Sequence, residues 1–163
     1  MKNLTVDAAL KDCEDELVQL EEAMKLLGHT SPIGMFLTRY AIIKACGTIE
    51  RAFKSLVADH AENKQSQQVK NFLQSKVRES SMNPNENNIT QLLKSFDPQW
   101  STDFCEKLKL IPDKERKKQS LRSLVEARNT FAHGGNPTTT IGQVKGYFCD
   151  SREIMAVVDE VIL

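Results

Sequence analysis

The chain has 163 residues, of which 22 are basic and 22 are acidic, so that its formal net charge is zero. This length suits one domain with its own hydrophobic core and is short for two. The balanced charge excludes a global electrostatic attraction to nucleic acids, membranes or acidic substrates, so any nucleic-acid contact must come from a local patch. We predict a single domain spanning residues 1–163.

The charges are unevenly distributed along the chain. Residues 1–28 hold seven acids and three bases, a net charge of −4, whereas residues 106–128 hold eight bases and four acids, a net charge of +4. The N-terminal segment is too charged for a signal peptide, and no apolar run reaches membrane-spanning length. We therefore expect a soluble, cytoplasmic protein with no membrane segment.

Cysteine usage indicates a reducing compartment. The four cysteines include no CxxC pair and lie inside apolar helical patterns, which favours buried free thiols over disulfides or a zinc site: Cys13, Cys46, Cys105 and Cys149. The histidines also lack partners at ligand spacing. The sequence predicts neither a metal site nor a cofactor.

Two long helices are predicted in the N-terminal half. Over residues 6–27, apolar residues recur every three or four positions, with Thr5 as a candidate N-cap and Gly28 as a candidate end. After a GHTSP turn, the second helix is predicted over residues 33–61. Its high apolar content indicates a central position in the fold.

Five shorter helices are predicted downstream. Their approximate ranges are 65–79, 89–96, 98–110, 112–133 and 141–162. The polar, proline-containing segment SSMNPNENN separates the first two of them. No stretch alternates as a strand would. The predicted fold class is all-α, a helical bundle of about six to seven helices.

The segment RNTFAHGG, residues 128–135, places an arginine where the helical pattern calls for an apolar residue. Leu121, Leu124 and Phe131 share the stripe on which Arg128 falls, so Arg128 is predicted on the buried face. A buried arginine needs a carboxylate, an anion or a wet cleft, because it cannot lose its charge. The structural interpretations are an ion pair with Glu50 on the second helix, or a rotated helix that lets Arg128 reach solvent.

A histidine follows five residues later. Five residues turn an ideal helix by about 500°, so His133 points roughly 140° away from Arg128 unless the helix ends there, as Gly134 and Gly135 indicate. A permanent cation and a titratable group beside one cleft suit phosphodiester chemistry. The arginine would hold phosphate oxygens and the histidine would move a proton.

The motif resembles a known family signature. Arg128-Asn129-Thr130-Phe131-Ala132-His133 is similar to the R-N-x-x-x-H motif of the HEPN superfamily. LVEARNTFAHGG and NPNENNITQLLKSFDPQW resemble the motif helix and the preceding segment of the branch associated with RiboL-PSP and MAE_28990-like HEPN proteins. The similarity spans roughly residues 40–147. It implies an all-α domain of a type found in prokaryotic toxins and defence proteins, many of them metal-independent ribonucleases.

The resemblance also implies roles for individual residues. Arg128 would bind the scissile phosphate, His133 would act as general acid or base, and Asn129 would orient the pair or contact RNA. Two subunits would dimerise so that both motifs line one cleft, which would account for an arginine on an apolar face. The implied reaction is attack of the RNA 2′-hydroxyl on the adjacent phosphate, so DNA would be spared. An antitoxin or a defence-system protein is the implied further partner.

Two additional features bear on RNA binding and regulation. A basic cluster before the motif is a candidate for sequence-independent phosphate contacts, although each member also fits an ordinary solvated side chain: Lys114, Arg116, Lys117, Lys118 and Arg122. HEPN toxins controlled by a partner nucleotidyltransferase often carry a tyrosine two residues after the histidine. Gly135 occupies that position here, so adenylylation is not implied.

Three functional hypotheses remain open from the sequence. The leading one is a metal-independent endoribonuclease of a toxin–antitoxin or antiviral defence system, with Arg128 and His133 as its reactive pair. The second is a non-catalytic HEPN domain that binds RNA, a nucleotide or a protein. The third is a purely structural dimerisation bundle.

Overall fold

The computed structural model describes residues 1–27 and 31–162, which form seven α-helices and no strand. The helices are α1 (Leu4–Leu27), α2 (Pro32–Ala61), α3 (Gln67–Leu73), α4 (Glu86–Phe96), α5 (Pro98–Leu110), α6 (Lys114–Ala132) and α7 (Ile141–Val161). A wider π-helical turn, Gln74–Arg78, continues α3. The predicted all-α bundle of six to seven helices is confirmed.

Side-chain caps explain where several helices begin. Asn85 accepts a hydrogen bond from the backbone nitrogen of Asn88 (2.8 Å) and caps α4, so this helix begins at Glu86 and not at the predicted Ile89. Thr140 and Gln143 form a reciprocal capping box at the start of α7. The predicted cap Thr5 is wrong, because Asn3 accepts from the backbone nitrogen of Val6 (3.0 Å) and α1 begins before Thr5. The predicted end at Gly28 lies outside the described residues.

Helices α2 and α7 lie at the centre of the bundle. Both pack against α1 and α6 as well as against each other, which confirms the central position predicted for the second helix. The largest fully buried side chains, Phe53, Phe104 and Phe148, come from α2, α5 and α7. Burying each contributes on the order of 1.5–3 kcal/mol to folding. None of the described helices is long and apolar enough to cross a membrane.

The acidic side chains of α1 fasten it to its two neighbours. Glu16 pairs with Lys44 on α2 and Glu21 pairs with Lys145 on α7, while Arg152 on α7 holds two further carboxylates of α1. The hydrogen bond from Lys44 lowers the pKa of Glu16, and the one from Lys145 lowers the pKa of Glu21. The acidic N-terminal segment thus serves helix packing.

All four cysteines are free thiols. Cys13 and Cys46 are buried as predicted, whereas Cys105 and Cys149 are half-buried. Burial raises the pKa of Cys46 to about 12. A thiol with this pKa stays protonated at neutral pH, so Cys46 is a core residue and not a nucleophile.

Candidate active site at the end of α6

The motif occupies the last turn of α6 and the cap that follows it. His133 is the C-cap residue, and Gly134 next to it adopts a left-handed conformation with φ of 81°. Gly134 donates its backbone N–H to the carbonyl of Phe131 (3.0 Å), and Gly135 donates to that of Thr130 (2.8 Å). This pair of bonds is a Schellman motif. The predicted termination of the helix at the two glycines is confirmed.

The second glycine is needed for a different reason. A Cβ atom at Gly135 would lie 2.8 Å from Thr130 Cγ2 and 2.9 Å from the Thr130 carbonyl oxygen. The helix backbone cannot give way as a flexible side chain would. A tyrosine at this position, as in the adenylylated HEPN toxins, would therefore require a different end to the helix.

Arg128 is half-buried and holds a neutral partner. Its Nη1 atom donates to Asn129 Oδ1 (3.2 Å), and no carboxylate of the described residues lies within 4 Å of its guanidinium. The predicted ion pair with Glu50 is absent, because Glu50 pairs with Lys54 (2.9 Å). The positive charge of Arg128 acts on Cys46 of α2, where it lowers the thiol pKa while burial, the larger effect, raises it. Arg128 is therefore a cation in a partly dry site, without an acidic counterpart among residues 1–27 and 31–162.

Asn129 connects the motif to the loop before α4. Its Oδ1 atom accepts from Arg128 and, at 3.5 Å, from Asn83 Nδ2. Asn83 is itself held in place, since its carbonyl oxygen accepts from Asn88 Nδ2 and from the backbone nitrogen of Asn85, both at 2.8 Å. Because the amide oxygen of Asn129 is occupied, its Nδ2 group remains as the donor for a ligand. The sequence pattern gave Asn83 no role beyond a polar loop.

The buried side chain of Lys54 on α2 also holds the loop that precedes α4. Lys54 donates to Glu50 Oε1 (2.9 Å) and to the carbonyl of Ser80 (2.6 Å), and Glu50 Oε1 also accepts from the backbone nitrogen of Met82 (3.1 Å). We call Lys54, Glu50, Ser80 and Met82 the loop clamp. It positions the backbone immediately before Asn83. In the sequence Lys54 lies among apolar residues of α2, which indicates a buried lysine, but its role in holding the loop was not predicted.

His133 is exposed at the end of α6. Its backbone nitrogen still donates to the Asn129 carbonyl (3.0 Å), so the helical path continues to this residue. On an ideal helix two side chains five residues apart point about 140° from each other, and His133 is the C-cap residue that follows the last helical residue, Ala132. Within one chain, Arg128 faces the α2 side of the helix and His133 lies at its open end.

Two of the predicted RNA-binding residues act in helix packing. Lys117 is buried, and its Nζ lies 2.6 Å from Glu153. Arg116 binds both carboxylate oxygens of the buried Asp150 (2.6 and 2.8 Å), which also accepts from Ser120 (2.6 Å). These contacts join α6 to α7. The predicted role of Lys117 in RNA binding is wrong, because a buried and paired ammonium cannot reach a phosphate.

The other three residues of the basic cluster differ in whether an acidic side chain compensates their charge. Lys118 pairs with Glu86 on α4 (2.9 Å), so its charge is compensated within the fold. Arg122 is exposed and Lys114 is half-buried, and neither has an acidic partner within 4 Å in the described part of the chain. Lys114 and Arg122 are therefore the members of the cluster most available to a phosphate, and the roles of Arg116 and Lys118 in RNA binding stay predictions.

Another arginine, missed in the sequence, lies beside the motif. The guanidinium of Arg39 on α2 is 5.5 Å from the ring centroid of Phe131 and 5.7 Å from that of Phe36. Its Nη2 donates to Asn136 Oδ1 (2.6 Å), in the loop after His133. Arg39 therefore ties α2 to both the motif helix and the loop that follows.

An apolar surface of α2 borders this site. Its members are exposed and recur every three or four residues along one face: Ile33, Phe36, Tyr40 and Ile43. We call them the α2 stripe. Phe36 is 65% exposed, which is unusual for a large aromatic side chain outside an interface. Because Arg39 contacts both Phe36 and Phe131, the α2 stripe and the motif helix are adjacent.

The all-α bundle and a helix-terminal R-N-x-x-x-H motif together define the HEPN class. The family model for RiboL-PSP-HEPN matches residues 8–163, nearly the whole chain, and the chain belongs to this family. The match extends well beyond the resemblance over residues 40–147. No curated protein and no solved structure matched the chain. Within residues 1–27 and 31–162, no cluster of three or more His, Cys, Asp or Glu side chains is placed to hold a metal ion.

Proposed function

We propose that this chain is a metal-independent endoribonuclease that acts as a homodimer. One observation carries the proposal: Arg128 is a half-buried cation whose partner in the described structure is a neutral amide oxygen. A partly desolvated guanidinium is stabilised by an anion, and its fork of donors matches the oxygens of a phosphate. The family to which the chain belongs supports the same assignment.

The proposed reaction uses the three motif residues in distinct ways. The 2′-oxygen of RNA attacks the adjacent phosphorus as the bond to the 5′-oxygen breaks, leaving a 2′,3′-cyclic phosphate and a 5′-hydroxyl. Arg128 binds the phosphate oxygens and stabilises the charge that develops on them. Asn129 offers its Nδ2 group to the same phosphate. One imidazole accepts the 2′-hydroxyl proton and another donates a proton to the leaving 5′-oxygen.

The need for two imidazoles is one reason to propose a dimer. The other is that Arg128 is half-buried within α6 whereas His133 is exposed at its C-cap, so a second copy would supply the imidazole that faces the phosphate held by Arg128. We propose that a second copy packs on the α2 stripe, which borders the motif helix. The two motifs would then face one cleft across a two-fold axis.

The dimer is tested by placing a charge in the stripe. Ile43→Glu should give a monomer in light scattering after gel filtration and should lose RNA cleavage, because a carboxylate in an apolar interface is desolvated without a partner. Leu110→Glu is the matched control, since Leu110 is an exposed leucine at the end of α5. An Ile43→Glu protein that remains dimeric would contradict the proposed interface.

Catalysis is tested with purified protein, a labelled oligoribonucleotide and EDTA. The native chain should produce cyclic-phosphate ends, whereas Arg128→Ala and His133→Ala should produce none while remaining folded. The control His60→Ala changes an exposed histidine that makes an edge-to-face contact with Trp100, and this variant should cleave normally. A substrate with a single 2′-deoxy position should resist cleavage there. Absence of cleavage by a folded dimer would overturn the proposed activity.

A second candidate is an RNA-binding domain without catalysis. The divergence of Arg128 and His133 within one chain favours it, because Arg128 alone is enough for an anion site. In that case Arg128→Ala weakens RNA binding and no variant changes cleavage, since there is none. Binding and cleavage measured on the same oligonucleotide distinguish the two candidates.

The cellular setting that we propose is a toxin–antitoxin or antiviral defence system, with an antitoxin or defence protein as partner. The support for it is the family alone. Induced expression of the native chain in bacteria should arrest growth, and His133→Ala should not. Equal growth of the two strains at equal protein levels would count against a toxin.

A further inference from the structure

Arg39 has the surroundings of a ligand-binding arginine. The ring centroids of Phe131 and Phe36 lie 5.5 and 5.7 Å from its guanidinium carbon, and its one hydrogen-bond partner among the described residues is the amide oxygen of Asn136. No carboxylate of the described residues lies within 4 Å of it. A guanidinium oriented in this way loses little side-chain entropy when it binds an anion.

Arg39 also lines a groove without acidic residues. The groove has a volume of about 320 Å³. The groove is lined by Met24 of α1, by three residues of α2 and by residues 136–140, which connect α6 to α7. The three residues of α2 are Met35, Thr38 and Arg39. Arg39 is the single charged residue among those lining residues. Its guanidinium is the group in these walls that attracts an anion, and the threonine and asparagine side chains add neutral hydrogen-bonding groups.

The position of Arg39 relates it to the proposed reaction. Arg128 acts electrostatically on Cys46, which is seven residues after Arg39 on α2, or about 10 Å along the helix. Phe131, between Arg128 and His133 in the chain, contacts Arg39 directly. An RNA strand whose scissile phosphate lay at Arg128 would bring a flanking phosphate toward Arg39.

We infer that Arg39 and the groove beside it form a binding subsite for a nucleotide flanking the scissile phosphate, with Arg39 contacting that nucleotide's phosphate. This inference rests on the proposed function. Arg39 would hold the flanking phosphate without taking part in bond breaking. Its replacement should therefore lower the affinity for RNA more than the cleavage rate of bound RNA.

The test is the salt dependence of binding to a short oligonucleotide that is 2′-O-methylated throughout and cannot be cleaved by 2′-hydroxyl attack. One phosphate contact to a single strand contributes about 0.7 to the slope of log affinity against log salt concentration. Arg39→Gln should lower the slope by about 0.7 and weaken binding about fivefold near 0.1 M salt. Arg39→Lys, which keeps the charge, should retain the slope.

Two controls separate binding from a structural role. Arg51→Gln removes an exposed arginine twelve residues further along α2 and should leave the slope unchanged. Asn136→Ala breaks the same loop contact but preserves the charge of Arg39. If Arg39 only anchored the loop, Asn136→Ala would lower the salt slope as much as Arg39→Gln does, and the subsite would be refuted.

The outcomes are distinguishable from those of the proposed function. Cleavage by the native chain combined with an unchanged slope in a folded Arg39→Gln protein would overturn the subsite alone. Absence of cleavage combined with Arg39-dependent binding would overturn the catalytic proposal and support the subsite. If the native chain does not bind the oligonucleotide, the subsite is also overturned.

Discussion

Replacing Lys54 by methionine should destabilise the fold and disturb the candidate site together. The side chain of Lys54 is 4% exposed and that of Glu50 is 17% exposed, so the pair is largely dry. Removing one partner of a buried ion pair costs about 3–5 kcal/mol, because the other charge is left uncompensated. Glu50 keeps its bond from the Met82 backbone nitrogen and some solvent contact, so we expect about 2–4 kcal/mol.

The assay is guanidinium unfolding of Lys54→Met beside Lys107→Met. Lys107 pairs with Glu160 at 3.3 Å, but these side chains are 44% and 60% exposed, so the loss should be below about 1 kcal/mol. Lys54→Met should also weaken RNA binding under conditions where it is folded, because the loop clamp holds the segment that presents Asn83. Equal unfolding midpoints for the two variants would refute the reasoning. A destabilised variant with native RNA affinity would refute the link to the site.

The remaining predictions concern the end of the motif helix and the acid stability of the bundle. Gly135→Ala should lower the free energy of unfolding by about 1–3 kcal/mol, because the new Cβ meets the Thr130 carbonyl oxygen, whereas Gly146→Ala, with no atom within 4 Å, should raise it by about 0.5–1 kcal/mol. Denaturant midpoints that move in the same direction for both glycines would contradict the contact argument. The pKa of Glu16 lies below its ordinary value of 4.5, so its stabilising contribution is complete above pH 4.5 and is lost as the pH falls through the lowered value. Glu16→Gln should therefore be less stable than the native chain at neutral pH and converge with it in acid, and a constant difference across the pH range would show that the carboxylate charge is not responsible.

The helices were predictable because their signals are local. Apolar periodicity, the Thr140 cap and the glycine pair after His133 each determine the backbone within a few residues, and the structure follows them, whereas α4 begins three residues before its predicted start because Asn85 is its cap. The start of α1 was misplaced because Asn3 and Thr5 are both acceptable caps. The choice between them depends on a tertiary contact, in which the side chain of Asn3 also binds Asp59 on α2 (2.7 Å).

The candidate site was predictable only in part, because its contacts are non-local. The motif itself is continuous in sequence, and the structure places Arg128, Asn129 and His133 at one helix end. Asn83 and Arg39 reach it from residues 46 and 89 positions earlier than Asn129 and Arg128, and no spacing rule connects them. The sequence favours Glu50 as the partner of Arg128 because Glu50 lies near Cys46 on α2. Lys54 lies one helical turn after Glu50, and its burial was not predicted. Glu50 therefore pairs with Lys54 and not with Arg128.

The partners of the arginines distinguish the candidate site from the rest of the fold. Arg78, Arg116 and Arg152 each bind carboxylates, so their charges are compensated where they join helices. Arg39 and Arg128 are half-buried, but each holds an amide oxygen. An amide oxygen orients a guanidinium without neutralising it, so the positive charge remains for a ligand. Two such arginines, one within the motif helix and one in contact with Phe131 of that helix, favour a polyanion over a single small anion, which supports the proposal of an RNA strand as the substrate.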